Sequence, residues 1–231
     1  MTLADRILSY NENLSFTDPL PDGLDILNPV ADNATVRGIC RDFYQHFYGD
    51  TDPRYLILGI NPGRLGAGAT GLPFTDTKRL VEKCGLEAPG FSTHEPSSVF
   101  MYEMMDAFGG VRAFYHTFYI SSVFPLAIIK KKEKGSYVNY NYYDDTGLQK
   151  SLTPYIIGHL QKQAELCGKR DVVFCLGRGK NYAYLNALNV KHRFFGKVVP
   201  LEHPRFIMQY RAKTKNDYID QYLEAFRQYI S

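Results

Sequence analysis

Asn61 is the first amide side chain after an uncharged run, Tyr55–Ile60, and a loop with glycines at 63, 66, 68 and 71 follows it. An amide has no useful acid–base capacity, but it can hold a water through hydrogen bonds. A loop short of Cβ atoms can bring its backbone against a ligand. Two phosphate-binding patterns lie in this loop, and both fail. Gly66-Ala67-Gly68-Ala69-Thr70-Gly71 is a literal G-x-G-x-x-G, but the strand before it ends at Ile60, and Pro73 stands where a cradling helix should already be running. Gly63–Thr70 nearly matches a P-loop, but Ala69 occupies the lysine position, so no cation reaches the β/γ-phosphates.

The elements that must position these residues alternate between strand and helix. Tyr55–Ile60 has the pattern of a strand buried on both faces. Asn61-Pro62-Gly63 ends it, because Pro cannot continue the ladder and Gly accepts positive φ. Ligands of open α/β sheets sit beyond the carboxyl ends of the strands, which is where Asn61 falls. Phe114–Val123, Asp171–Gly177 and Lys197–Leu201 are the expected second, third and fourth strands. Helices are expected over 3–10, 36–47, 77–83, 178–188 and 214–229. Two more are marked by their ends: one between a Ser97 or Ser98 cap and Gly109-Gly110, and one opened by Thr153-Pro154 in cap-then-proline order. The pattern implies an α/β protein, a three-layer α/β/α sandwich with a central four-stranded, mostly parallel sheet. One domain spans 1–231, with 1–34 as an N-terminal extension and 128–150 as an insertion near the site.

Gly59-Ile60-Asn61-Pro62-Gly63, followed by Thr70-Gly71 and Pro73-Phe74, resembles motif 1 of the uracil-DNA glycosylase superfamily in its SMUG-like (single-strand-selective monofunctional) form. Val198–Pro204, VVPLEHP, resembles that family's second motif, and the likeness runs from about Leu56 to the C-terminus. It implies a uracil-DNA glycosylase-like fold. It also implies a monofunctional enzyme of base excision repair that flips out and hydrolytically removes uracil or another deaminated or modified base from DNA. No metal and no cofactor are implied.

On the resemblance, Asn61 holds the attacking water and His203 donates to the departing base, much as an oxyanion hole does. Many members place an Asp in motif 1, so an Asn implies weaker water activation and a larger share for leaving-group stabilisation. Phe74 stacks on the flipped base, and Gly59, Ile60 and Ser122 contact it. A buried core Phe is the ordinary alternative for Phe74, and His46, His94, His116, His159 and His192 are read as structural. Ser122 departs from the family pattern, which has an Asn three residues before Pro125-Leu126. A hydroxyl cannot make the paired contact of an amide, so xanthine, hypoxanthine and modified uracils stay open beside uracil. Gly63, Arg205, Phe206, Arg211 and Lys213 are the expected DNA contacts. Pro204–Arg211 stands where the family has its intercalating loop, with bulky residues for a wedge and arginines for phosphates.

Composition narrows the classes further. A net charge of +3 over 231 residues does not by itself demand nucleic acid. Clustering counts for more: Lys130–Lys134 is one basic run, and Arg205, Arg211, Lys213 and Lys215 form another directly after His203-Pro204. Residues 137–143 are rich in Tyr and Asn. They either track a nucleic-acid strand by charge and stacking or pack their tyrosines on the domain, and Asn139 and Asn141 are within reach of the site. Cys40, Cys84, Cys167 and Cys175 form no C-x-x-C and read as buried thiols rather than iron–sulfur ligands. No run is long enough to span a membrane, and residues 1–10 lack the apolar core of a signal peptide. A cytoplasmic monomer acting on single- or double-stranded DNA is expected. The rival is a nucleotide- or nucleic-acid-binding module that keeps the fold without turnover.

Overall fold

Successive side chains of a strand leave on opposite faces, and Phe118–Ser122 shows what each face meets. Phe118 lies against Phe226 with ring centroids 4.5 Å apart, and Tyr119 on the other face lies 5.9 Å from Tyr48. The sheet is therefore covered on both sides by helices. The computed structural model describes residues 1–133 and 135–230; Lys134, the end of the first basic run, and Ser231 lie outside the described residues.

Seven strands occur among the described residues: β1 (Leu24–Leu27), β2 (Arg54–Gly59), β3 (Phe118–Ser122), β4 (Ala127–Lys131), β5 (Tyr137–Tyr140), β6 (Gly168–Leu176) and β7 (Lys197–Leu201). Four form a parallel sheet in the order β3-β2-β6-β7. Every residue of β2 is buried, as its uncharged run from Tyr55 requires. Gly59 pairs with Ser122, and Leu176 with Leu201, so the carboxyl ends of all four strands finish together. Pairing continues past the strands, where Val123 and Phe124 N–H donate to the carbonyls of Gly59 and Ile60 at 3.0 and 3.1 Å.

The other three strands were not expected from the sequence. They make a small antiparallel sheet in the order β1-β4-β5. This sheet joins the N-terminal extension to the 128–150 insertion: Ile26 pairs with Ile128, and Ile129 with Asn139.

Several boundaries differ from the sequence expectation, among them the strand expected from Asp171, which starts at Gly168, and the helix expected over 178–188, which runs Lys180–His192. The second strand of the parallel sheet starts at Phe118 rather than Phe114, because Val111–Thr117 is helical. Phe114 and Tyr115 look like strand residues, but tertiary burial overrides that preference. The helix expected to open at Thr153-Pro154 runs instead from Thr146 to Cys167, capped by Asp145, whose side chain accepts from Leu148 N–H at 2.8 Å. Pro154 lies inside it, where it removes one backbone hydrogen bond. Finally, the segment after His203 is a helix, Pro204–Tyr210, and not a loop. His203 is its cap and Pro204 its first residue, the same cap-then-proline order that misled at Thr153. The four cysteines are free and buried, and burial lifts the Cys40 and Cys175 thiols to about 12.

Candidate active site

The glycine loop is closed on itself. Gly63 C=O accepts from Gly66 N–H at 3.0 Å and from Gly68 N–H at 2.8 Å. A Cβ on Gly68 would stand 2.8 Å from that carbonyl, and one on Gly71 (φ +72°) 2.5 Å from Cys40 Sγ. These glycines are required by internal close approach, not to cradle a phosphate. The loop fixes the backbone at Phe74. Leu72 C=O accepts from Thr75 N–H at 3.3 Å across Pro73 and Phe74, and Phe74 sits at φ 51°. That is the turn geometry in which proline precedes a positive-φ residue. A bulky residue is strained there by about 1–3 kcal/mol. Thr70 Oγ1, buried, holds the turn by donating to Thr75 C=O at 2.9 Å.

Phe74, Gly59, Ser122 and His203 lie close together. A Cβ on Gly59 would lie 3.5 Å from Ser122 Oγ and 3.7 Å from Phe74 Cζ. The Phe74 and His203 rings are 5.9 Å apart. At Gly59 there is room for a Cβ at ordinary contact distances, and its carbonyl and that of Ile60 are taken by Val123 and Phe124 N–H. Ser122 also lines a cavity of about 50 Å³ together with Pro62, Pro73, Tyr119 and Ser121. Gln163 Nε2 donates to Ser122 C=O at 3.3 Å and fixes the main chain there.

His203 is partly buried, and its Nδ1 accepts from Arg205 N–H at 3.1 Å. An acceptor at Nδ1 carries no proton, so the neutral ring carries its proton on Nε2. Burial, with the Arg205 guanidinium nearby, pushes its pKa down to about 4. The ring is a neutral donor at physiological pH.

Asn61 is held at both ends of its amide. Nδ2 donates to Tyr140 C=O at 3.1 Å, and Oδ1 accepts from Tyr142 N–H at 3.2 Å. One proton on Nδ2 and one lone pair on Oδ1 remain for a water. Asn139 and Asn141, expected within reach of the site, are engaged elsewhere. Asn139 Oδ1 accepts from Arg64 N–H at 2.8 Å, and Asn141 binds Asp144 through its backbone N–H at 2.8 Å.

The family model described as "Uracil DNA glycosylase superfamily" matches residues 46–227. The chain belongs to that superfamily. It is a DNA glycosylase, a hydrolase of N-glycosidic bonds in base excision repair, and DNA is its substrate. Its fold and sequence are similar to a solved structure titled "The crystal structure of WT Pedobacter heparinus SMUG2", with 48% identity and a TM-score of 0.96 over 99% of this chain and 98% of that one. No curated protein matches.

The glycosylase presents Arg205, Gln209, Tyr210 and Arg211 on the exposed side of the helix after His203, with Lys213 exposed just beyond. Arg211 lies over the Phe206 ring at 5.7 Å, and Phe206 neighbours Tyr210 at 5.4 Å. Lys215, grouped with these cations in the sequence, is instead paired with Glu103 at 2.5 Å. Among the described residues no helix is long and apolar enough to cross a membrane.

Two residues near the site, Glu95 and Asn181, carried no readable signal in the sequence; Tyr140 and Tyr142 lie in the tyrosine-rich stretch 137–143, but nothing there linked them to Asn61. Glu95 lies between two of the expected helices, yet its carboxylate abuts the glycine loop. A Cβ on Gly66 would meet Glu95 Oε2 at 2.3 Å, and one on Gly63 would be 3.8 Å from Oε1. Burial and the neighbouring Asp76 raise its pKa to about 7, with Arg205 opposing. Asp76 fixes the segment by accepting from Glu95 N–H at 3.0 Å and Ser98 Oγ at 2.8 Å. Burial works against the Asp76 charge, but the hydrogen bonds from Glu95, Arg79 and Ser98 outweigh it and hold that carboxyl below the usual range.

Proposed function

We propose that this glycosylase flips uracil or another deaminated or modified base out of DNA into a hollow among Gly59, Phe74, Ser122 and His203, and hydrolyses its bond to the sugar. Flipping costs a few kcal/mol of lost stacking. A base stacked on Phe74 regains about 1–3 kcal/mol. The C1′–N bond breaks with its electron pair passing to the base. The oxygen of the water held by Asn61 bonds to C1′, and the water's proton leaves to solvent. Negative charge on the departing base is met by His203 Nε2–H. The observation that carries this reading is the Arg205 N–H bound at His203 Nδ1, which leaves a proton-bearing Nε2 on a ring that stays neutral. The proposed chemistry is monofunctional, with water rather than an amine as nucleophile.

Ser122 sets the breadth of the pocket. Its hydroxyl reads a base edge at one point, and the 50 Å³ cavity that Ser122 lines can take ordered water or part of a larger base. Uracil, xanthine and hypoxanthine are therefore all candidate substrates. Gly63, Arg205, Phe206, Arg211 and Lys213 carry the strand, with Phe206 or Tyr210 filling the gap in the stack. The protein acts as a monomer.

Labelled single-stranded and duplex oligonucleotides with one uracil, xanthine or hypoxanthine, treated with hot alkali after incubation, test the reading. Wild-type protein is expected to give alkali-labile product, sharply reduced in Asn61→Ala and His203→Ala. No product on any base, with salt-sensitive binding intact, would make the chain a binding module instead.

A further inference from the structure

Tyr142 and Asn181 are remote from Asn61 in sequence, and both are buried. Tyr142 OH donates to Asn181 Oδ1 at 2.7 Å. Asn181 Nδ2 donates to Leu176 C=O at 2.9 Å, at the end of β6, and lies 3.5 Å from Gly59 C=O, at the end of β2. The Tyr142 backbone N–H meanwhile holds Asn61 Oδ1. A continuous line of hydrogen bonds thus runs from the carboxyl ends of two central strands, through Asn181 and the length of Tyr142, to the amide of Asn61. From that structure we infer that Tyr142 and Asn181 are positioning residues for Asn61, and that the segment 139–142, the end of β5 and the two residues after it, serves as its clamp.

The physical need is specific. The last torsion of an Asn side chain is broad and nearly two-fold, so a free amide exchanges its oxygen and nitrogen. A carbonyl on one side and an N–H on the other remove that freedom, because the flipped amide would oppose oxygen to oxygen and N–H to N–H. The same segment holds the next part of the loop through Asn139 and Arg64 N–H. Tyr142 itself is seated by the rings of Tyr143 and Tyr184, 5.0 and 5.2 Å away. Removing its hydroxyl therefore releases one end of the clamp while leaving the ring packed.

This inference rests on the reading of Asn61 as the water-holding residue, and the test separates the two. Single-turnover rates on a uracil oligonucleotide are measured for wild type, Tyr142→Phe, Asn181→Ala and Asn61→Ala, and for each of the first two variants combined with Asn61→Ala. Affinity for product abasic DNA and thermal midpoints are measured alongside. Tyr142→Phe is expected to slow the chemical step by roughly tenfold to a hundredfold, with affinity for abasic DNA unchanged. In the Asn61→Ala background the same change is expected to cost almost nothing, because nothing remains to position. If Tyr142→Phe or a folded Asn181→Ala costs the same factor in both backgrounds, or nothing in the wild type, the positioning role is overturned. If Asn61→Ala alone matches wild type, it is the reading of Asn61 that fails.

Discussion

The backbone N–H of Arg205 donates to Nδ1 of His203 over 3.1 Å, and so leaves Nε2 as the nitrogen that carries the proton of the neutral ring. The bond exists because His203 caps the helix that Pro204 begins. A second-motif histidine followed by proline is thus a geometric device, since the helix start supplies the N–H that sets the tautomer.

With its pKa lowered to about 4, His203 keeps one protonation state from pH 8 down to pH 5. The rate of the chemical step should show no His203-dependent fall across that interval. An ordinary histidine, titrating near 6.5, would lose most of its neutral form by pH 5.5. A pH–rate profile under single-turnover conditions checks this, and a break near 6.5 that vanishes in His203→Ala would count against a neutral donor.

Asn61→Asp should lower activity. A carboxylate accepts well from Tyr142 N–H, but its other oxygen would face Tyr140 C=O where Nδ2 now donates at 3.1 Å. That is two acceptors in contact, which displaces the side chain or raises its pKa. A loss on the order of tenfold or more in single-turnover rate is expected for such a misplacement. A faster enzyme would mean that the Tyr140 contact does not constrain the site.

Gly59→Ala probes the hollow without disturbing the sheet. The new methyl would have ordinary contacts, 3.5 Å to Ser122 Oγ and 3.7 Å to Phe74 Cζ, so the fold should hold and the melting temperature should not drop. The space meant for the base would be partly filled, with a rate loss of about 10²-fold on uracil. Wild-type rates with this variant would place the base elsewhere.

Glu95 gives a stability signature. Its carboxyl titrates at the ordinary 4.5 in the unfolded chain and at about 7 in the fold. Between those values the folded state binds more protons, so this group's effect is a loss of stability as pH rises from about 4.5 to about 7. Glu95→Gln removes that effect. Its melting temperature relative to wild type should be higher at pH 8 than at pH 5; an equal difference at both would show that Glu95 is not held protonated.

The parallel sheet was legible because each of its strands is a short apolar run closed by Pro, Gly or Ser. The positions of Asn61 and His203 just past the ends of β2 and β7 were legible from the runs before them, and Phe74 only through its place in the glycine-loop motif. The clamp was not, since no local pattern links Asn61 to Tyr142 across the chain, and main-chain partners carry no side-chain signature. The antiparallel sheet escaped for a similar reason. Leu24–Leu27 is only four residues long, and its partner, Ala127–Lys131, ends in the lysines that begin the basic run 130–134. Thr153-Pro154 shows the limit of local rules: Asp145 caps the helix earlier, and packing keeps the proline inside it.

The most direct test of leaving-group stabilisation by His203 compares uracil with 5-fluorouracil, whose fluorine makes the departing anion more stable. Single-turnover rates are measured on both substrates with wild type and His203→Ala. The loss on uracil should be about 10²–10³-fold, the scale for removing one donor to a developing anion. It should shrink clearly on 5-fluorouracil, which needs the donor less. Equal losses on the two bases would contradict the account and give His203 a purely structural place beneath Phe74.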